Sequence, residues 1–241
     1  MSGHSKWSKI KRQKGANDAK RGAQFTKLGN AIAVAAKAGK DPDMNPDLAM
    51  AIQQAKDANM PNANIDRSVK RGAGELGGNI IEEITYEGYG PGGVAIIIEC
   101  ASDNRNRTSA DVRTAFSKNG GNQAETGAVA YQFERKGVIE VQKTGDDDAD
   151  QLAVIEAGAD DIIDDDDIWT VQTDMKQLHS VRKSLVAAGL KIDSATLAYV
   201  PNNVVEISDE KLQAKVIKLM DVLDELDDVT ETYTNFEIAD E

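Results

Sequence analysis

GVIEVQKTGDDDADQLAVIEAGADDIIDDDDIWTVQT, residues 137–173, decides the fold. GVIEVQK reads as a strand, and a turn-forming acidic run leads into a helix near 148–158. ADDIID and DIWTVQT follow as two further strands. Beyond them a second helix is predicted at about 174–188, with Met175, Leu178, Val181, Leu185 and Val186 inward, and KIDSATLAYV closes the series. The order is β-α-β-β-α-β, that of a ferredoxin-like split βαβ unit.

Working outward, IIEEITYEG and VAIIIECAS are strand-like and joined by YGPGG, a hairpin connection. Asp103 or Asn104 can cap a helix running to about Asn119, which Gly120-Gly121 ends, and AVAYQFE reads as a strand. Downstream, NVVEIS, a helix over 209–226 and VTETYTNFEI give β-α-β again. The expected organisation is therefore α+β. An N-terminal three-helix bundle (1–78) precedes two ferredoxin-like α+β domains, the second (136–201) inserted in the first (79–135 plus 202–241). In the bundle, Phe25, Leu28, Ile32 and Ala36 repeat at helical spacing over 16–38. Asn45-Pro46 is an N-cap with proline in the first turn, opening a helix with Leu48, Ile52 and Ala55 on one face. Pro61-Asn62 opens a third helix, Ile65 and Val69 inward, Arg67, Lys70 and Arg71 outward, before the glycine-rich GAGELGG.

Charge divides the chain along the same line. Of its 241 residues, the first 80 carry 14 Lys and Arg against 7 Asp and Glu; the remainder carries 14 against 34. A basic end on a protein of net charge −13 points to an anionic partner for that end. No apolar run approaches the length of a membrane helix, and one cysteine, Cys100, excludes an internal disulfide framework. No secretory signal opens the chain, and a cytoplasmic location is expected.

Several uncommon strings occur in order: GHSKW at 3–7, DAKRG and FTKL within 18–28, MPNANIDRSVKRGAGE at 60–75, YEGYGPGGVA at 86–95, DNRNRT at 103–108 and GGN at 120–122. In these the chain resembles the YebC family, which includes bacterial YebC and PmpR proteins and the mitochondrial translational activator of cytochrome c oxidase. The resemblance runs the full length. It implies a helical N-terminal domain, two α+β domains, and a non-enzymatic, nucleic-acid-linked role in gene expression, in transcription or on the ribosome. With GHSKW starting at residue 3, the bacterial-type form without a presequence is expected. Gln123 stands where many relatives carry leucine, and Tyr131 where tryptophan is usual.

Lys6, Trp7, Lys9, Lys11, Arg12 and Lys14, with Lys20 and Arg21, form a basic arm suited to neutralising phosphates and releasing counterions, and Trp7 could stack on a base. The alternative is a solvated tail with Trp7 tucked into the bundle. Arg67, Lys70 and Arg71 extend the basic surface, or are an ordinary wet helix face. Asn104, Arg105 and Arg107 in DNRNRT form a candidate anion site at a helix start; the alternative is an Asx cap with arginines paired to carboxylates. GYGPGG joins two strands, so its glycines are a turn and not a dinucleotide loop. The runs at 146–150 and 160–167 lack the glycine and glutamate of a calcium loop. With His4 and His179 far apart and no zinc spacing or nucleophile motif, no metal, cofactor or catalytic residue is expected.

Three functions remain in order: a DNA-binding transcriptional regulator; a ribosome-associated factor binding ribosomal or transfer RNA; and, remotely, a phosphate-handling enzyme using the Arg/Asn pair of DNRNR. No helix-turn-helix spacing is evident in the basic segment.

Overall fold

The computed structural model describes residues 21–77, 81–165 and 167–239 together with Ile10, and of residues 21–23 the backbone only. Among the residues from 21 onward that are described, three α-helices come first: α1 (Arg21–Ala35), α2 (Pro46–Asp57) and α3 (Asn62–Gly72). Asn45 caps α2 by accepting a hydrogen bond from the Leu48 N–H at 3.2 Å, with Pro46 in the first turn. Ile32, Ala36, Leu48, Ala55, Met60 and Ile65 make the bundle core, with Phe25, Leu28, Ile52 and Val69 against it. These are the apolar positions that the helical spacing predicts.

After the bundle come β1 (Glu82–Tyr89), β2 (Ala95–Ser102), α4 (Arg105–Lys118), β3 (Asn122–Ala124), β4 (Phe133–Gln142), α5 (Asp147–Glu156), β5 (Asp161–Asp165) and β6 (Ile168–Thr173). Then follow α6 (Leu178–Ala187), β7 (Ile192–Pro201), β8 (Val205–Ile207), α7 (Glu210–Asp224), β9 (Val229–Thr234) and β10 (Phe236–Ile238). The strands form two antiparallel sheets, β3-β1-β2-β9 and β5-β6-β4-β7, and a small parallel pair, β8 with β10. The second sheet is the β-α-β-β-α-β series read from 137–173 and its continuation. In the first sheet the chain enters by the β1–β2 hairpin, turned by Pro91–Gly93 with Gly92 at φ 78°. It returns through α7 into β9 only after the second sheet is complete.

β2 lies centrally with both faces covered, so its sequence is nearly all apolar. Ile96, Ile98 and Cys100 face α4 and α7, packing with Val112, Phe116, Leu219 and Met220. Gly88 leaves room for Phe116: a Cβ there would lie 2.5 Å from the ring. On the other face Ala95 and Ile97 meet Val129 and Phe133 with Tyr199 and Tyr233, where the two sheets join. Arg135 on β4 reaches Glu99 on β2 at 2.6 Å and sits 4.9 Å from the centre of the Tyr199 ring, while the Tyr233 hydroxyl donates to Glu99 at 3.0 Å. The bundle attaches to this body through α1. Lys27 pairs with Asp224 at 3.2 Å, Asn30 donates to the Ala101 carbonyl at 3.2 Å, and Ala33 packs on Ile81 and Ala101.

Three local expectations change. AVAYQFE is not one strand: Ala130–Gln132 is a short 3-10 turn, and β4 begins at Phe133 and runs unbroken through GVIEVQ. The turn is imposed from a distance, because the buried Glu87 carboxylate accepts the N–H groups of Gly127, Val129 and Ala130 at 2.6, 2.7 and 2.9 Å. Met175 and Val186 are exposed (43% and 51%): Met175 lies in a turn closed on the Asp174 carboxylate before α6 starts at Leu178, and Val186 lies on the outer side of α6 next to the buried Leu185. VTETYTNFEI is divided at Asn235, which is buried and accepts from the Ala95 N–H at 2.8 Å.

Candidate nucleic-acid interface

Lys6, Trp7, Lys9, Lys11, Arg12, Lys14 and Lys20 lie outside the described residues, as does the side chain of Arg21, whose backbone opens α1. Ile10, in the middle of that basic arm, is half-buried against the core of the first sheet. α3 is described completely. Ile65 and Ser68 are buried, Arg67 and Lys70 lie exposed on the opposite side, and Arg71 lies at the edge of the buried face, against α1. Lys70 and Arg71 also complement the carbonyl end of the helix. Arg71 differs from the other two. Its guanidinium donates to Asn30 Oδ1 at 2.6 Å, and burial, with Arg67 beside it, pulls its pKa below the usual arginine value against the opposing charge of Asp103. α2 and α3 are separated by only residues 58–61, with Asn59 at φ 60°. That is the connection length of a helix-turn-helix, which the spacing of basic residues does not reveal.

The structure parts the three residues of DNRNRT. Asn104 is the N-cap of α4, its Oδ1 accepting the Arg107 N–H at 3.1 Å. Arg107 turns toward α7 and clamps Asp228: Nη2 reaches both carboxylate oxygens at 2.9 Å and Nε reaches Oδ2 at 3.2 Å. Asp103 adds a further pair at 3.2 Å, and Ser102 and Thr108 hydroxyls complete the Asp228 shell at 3.0 and 2.7 Å. Hydrogen bonding to Asp228 raises the Arg107 pKa further. The cavity beside it, about 640 Å³ between the bundle and the body, holds Arg71 and Arg107 but also Asp103, Asp111, Asp227 and Asp228. Carboxylates dominate it, and an anion is disfavoured there.

Arg105 points elsewhere. It lines a separate cleft of about 280 Å³ along α4, with Asn106, Ser109 and Arg113 on the helix and Thr85, Gln123 and Thr126 opposite. Arg113 was not singled out from sequence, although Arg105, Ser109 and Arg113 recur every fourth residue and so share a helix face. Its other neighbours come from β1 and β3, which only the tertiary fold supplies. Among the described residues, no three His, Cys, Asp or Glu side chains are grouped to hold a metal ion, and no helix is long and apolar enough to cross a membrane.

Comparison with known proteins agrees with this architecture. Residues 5–75 match the family model of the TACO1/YebC protein N-terminal domain, and residues 81–236 that of the TACO1/YebC second and third domain. A protein of Halothermothrix orenii called a probable transcriptional regulatory protein is 51% identical over 100% of this chain and 97% of its own length. One of the same name from Persephonella marina is 49% identical over 99% and 97%. The crystal structure of a conserved hypothetical protein from Aquifex aeolicus superposes with a TM-score of 0.87 at 45% identity, covering 93% of each chain. With family models covering most of its length and relatives at half identity end to end, this chain belongs to the YebC family.

Proposed function

We propose that this protein is a non-enzymatic nucleic-acid-binding regulator of gene expression, working in the cytoplasm as a DNA-binding transcriptional regulator through its basic N-terminal domain. The observation that carries the reading is the exposed basic face of α3, on the end of the chain where Lys and Arg outnumber Asp and Glu by two to one. The names of the relatives point the same way. Phosphate contacts from the arm and from Arg67 and Lys70 supply affinity, and the acidic body repels phosphate over most of its own surface. Phosphate contacts position but do not read sequence, and the arm is rich in Lys and Arg but poor in Asn and Gln, so discrimination among duplex sequences is modest.

The test replaces Lys9, Lys11, Arg12 and Lys14 together with alanine. Duplex-DNA binding should be lost while the circular-dichroism melt is unchanged. The same variant, compared with the parent for co-sedimentation with translating ribosomes, separates the two nucleic-acid partners. Ribosome association lost with the arm, alongside duplex binding that is weak in the parent, would move the function from transcription to translation. Binding to both that survives the substitution would refute the role of the arm.

A further inference from the structure

The geometry points to a second nucleic-acid contact on the acidic body: the cleft between α4 and the β1–β3 edge, where Arg105 and Arg113 grip the phosphodiester backbone of a single extended strand. This rests on the nucleic-acid reading above and extends it to a surface far in sequence from the basic arm.

Three observations converge. The first is charge: on α4, Arg107 is held by Asp228 and Asp103, whereas two other arginines of the same helix are not engaged in this way. The side chains of Arg105 and Arg113 pair with no described carboxylate, and both are exposed into one cleft. The second is the lining. Between the arginines lie the Asn106 amide and the Ser109 hydroxyl, with the Thr85 and Thr126 hydroxyls opposite, all able to donate to phosphate oxygens. The N-terminus of α4 closes one end and adds the positive pole of the helix dipole. The third is size. Arg105 and Arg113 stand two turns apart, about 12 Å along the helix axis. A cleft of about 280 Å³ spread over that length fits a strand backbone and is too small for a duplex.

Two carboxylates border the cleft and behave differently. Both oxygens of Glu87 are held by the three backbone N–H groups of the 127–130 turn, so it does not compete for the arginines. Glu125 is exposed and free to oppose a phosphate.

The test uses the full chain and fluorescein-labelled oligouridine, with affinity followed against salt. Arg105→Gln with Arg113→Gln should weaken binding about ten- to hundredfold at low salt. The slope of log K on log salt should become shallower by about 1.4, two single-strand phosphates at about 0.7 each. Glu125→Gln should tighten binding, and the Arg105 and Arg113 Nε–Hε resonances should shift when oligouridine is added to the parent. An unchanged slope and affinity in the double variant, whose fold is checked by its melt, overturns the site, as do unmoved arginine resonances. ATP or poly-glutamate displacing oligouridine at equal charge would assign the cleft to free nucleotides or acidic peptides and overturn the strand contact. Binding abolished by the arm substitution but untouched by the double variant fails the cleft alone. A parent that binds no oligouridine, ribosome or duplex fails the nucleic-acid reading itself.

Discussion

Arg107 should be a stability residue and not a binding one, and the sizes are large enough to measure. Its side chain is 50% exposed, whereas that of Asp228 is 14% exposed, so the pair is neither a free surface ion pair nor a buried one. Fully exposed pairs contribute about 0.2–1 kcal/mol, and hydrogen bonds to charged groups about 1.5–3 kcal/mol. Discounting the second range for the half-wet guanidinium leaves about 1–2 kcal/mol for Arg107→Gln. The loss is not total, because Ser102 and Thr108 still donate to Asp228. Urea unfolding of Arg107→Gln, Asp228→Asn and the double variant should give a coupling of about 1 kcal/mol. Affinity of Arg107→Gln for duplex DNA or oligouridine should equal that of the parent. A coupling near zero, or intact stability with lost nucleic-acid binding, would return Arg107 to an anion site and refute the separation of Arg107 from Arg105.

Other positions give further tests. Gln123 Oε1 is buried with no hydrogen-bond partner among the described residues, so Gln123→Leu should raise stability by about 1 kcal/mol in the same urea assay; a loss would mean the amide is satisfied in solution. Burial pushes the Cys100 thiol up to about 12, so Ellman's reagent should leave the native protein untouched at pH 8 and label one thiol after unfolding. Fast labelling of the native protein would contradict its placement on β2 beneath α4 and α7. Burial pushes the Asp150 carboxyl up, but hydrogen bonds from the Thr144 N–H and hydroxyl and from Trp169 Nε1, with Lys143 nearby, outweigh it and hold the pKa below the ordinary value. Its stabilisation is therefore complete above the unfolded-chain pKa of about 3.9 and is lost as pH falls from there through the lower folded value. Asp150→Asn should remove that part of the acid-side decline, and parallel pH profiles for parent and variant would contradict it.

The α+β architecture was legible because its signals are local. Asn45-Pro46 and Asn104 announce their helices by side-chain caps that form within three residues. Gly120 takes φ 78° where α4 ends, and the apolar spacing in the bundle helices follows from burial on one face. What failed depended on distant contacts. The 128–132 segment has the composition of a strand, but Glu87, some forty residues earlier, gathers its N–H groups into a turn. Val186 follows Leu185 directly, and two neighbours about 100° apart on a helix cannot both face the same sheet; Leu185 is fully buried and Val186 is not. For the site, the sequence marked the arginines of DNRNRT but not their directions. Arg113 shares a helix face with Arg105 by spacing alone, but Asp228, which claims Arg107, and the β1 and β3 residues that close the cleft become neighbours only through the packing of α4 against α7 and β1.

The central claim is that the basic N-terminal end holds nucleic acid by phosphate neutralisation. It is tested most directly by measuring the affinity of the full chain for duplex DNA across a salt series. About five phosphate contacts from the arm predict a slope of log K on log salt of roughly −4 to −5, falling toward zero when Lys9, Lys11, Arg12 and Lys14 become alanine. A nearly flat dependence in the parent, or an equally steep one in that variant, would contradict the account.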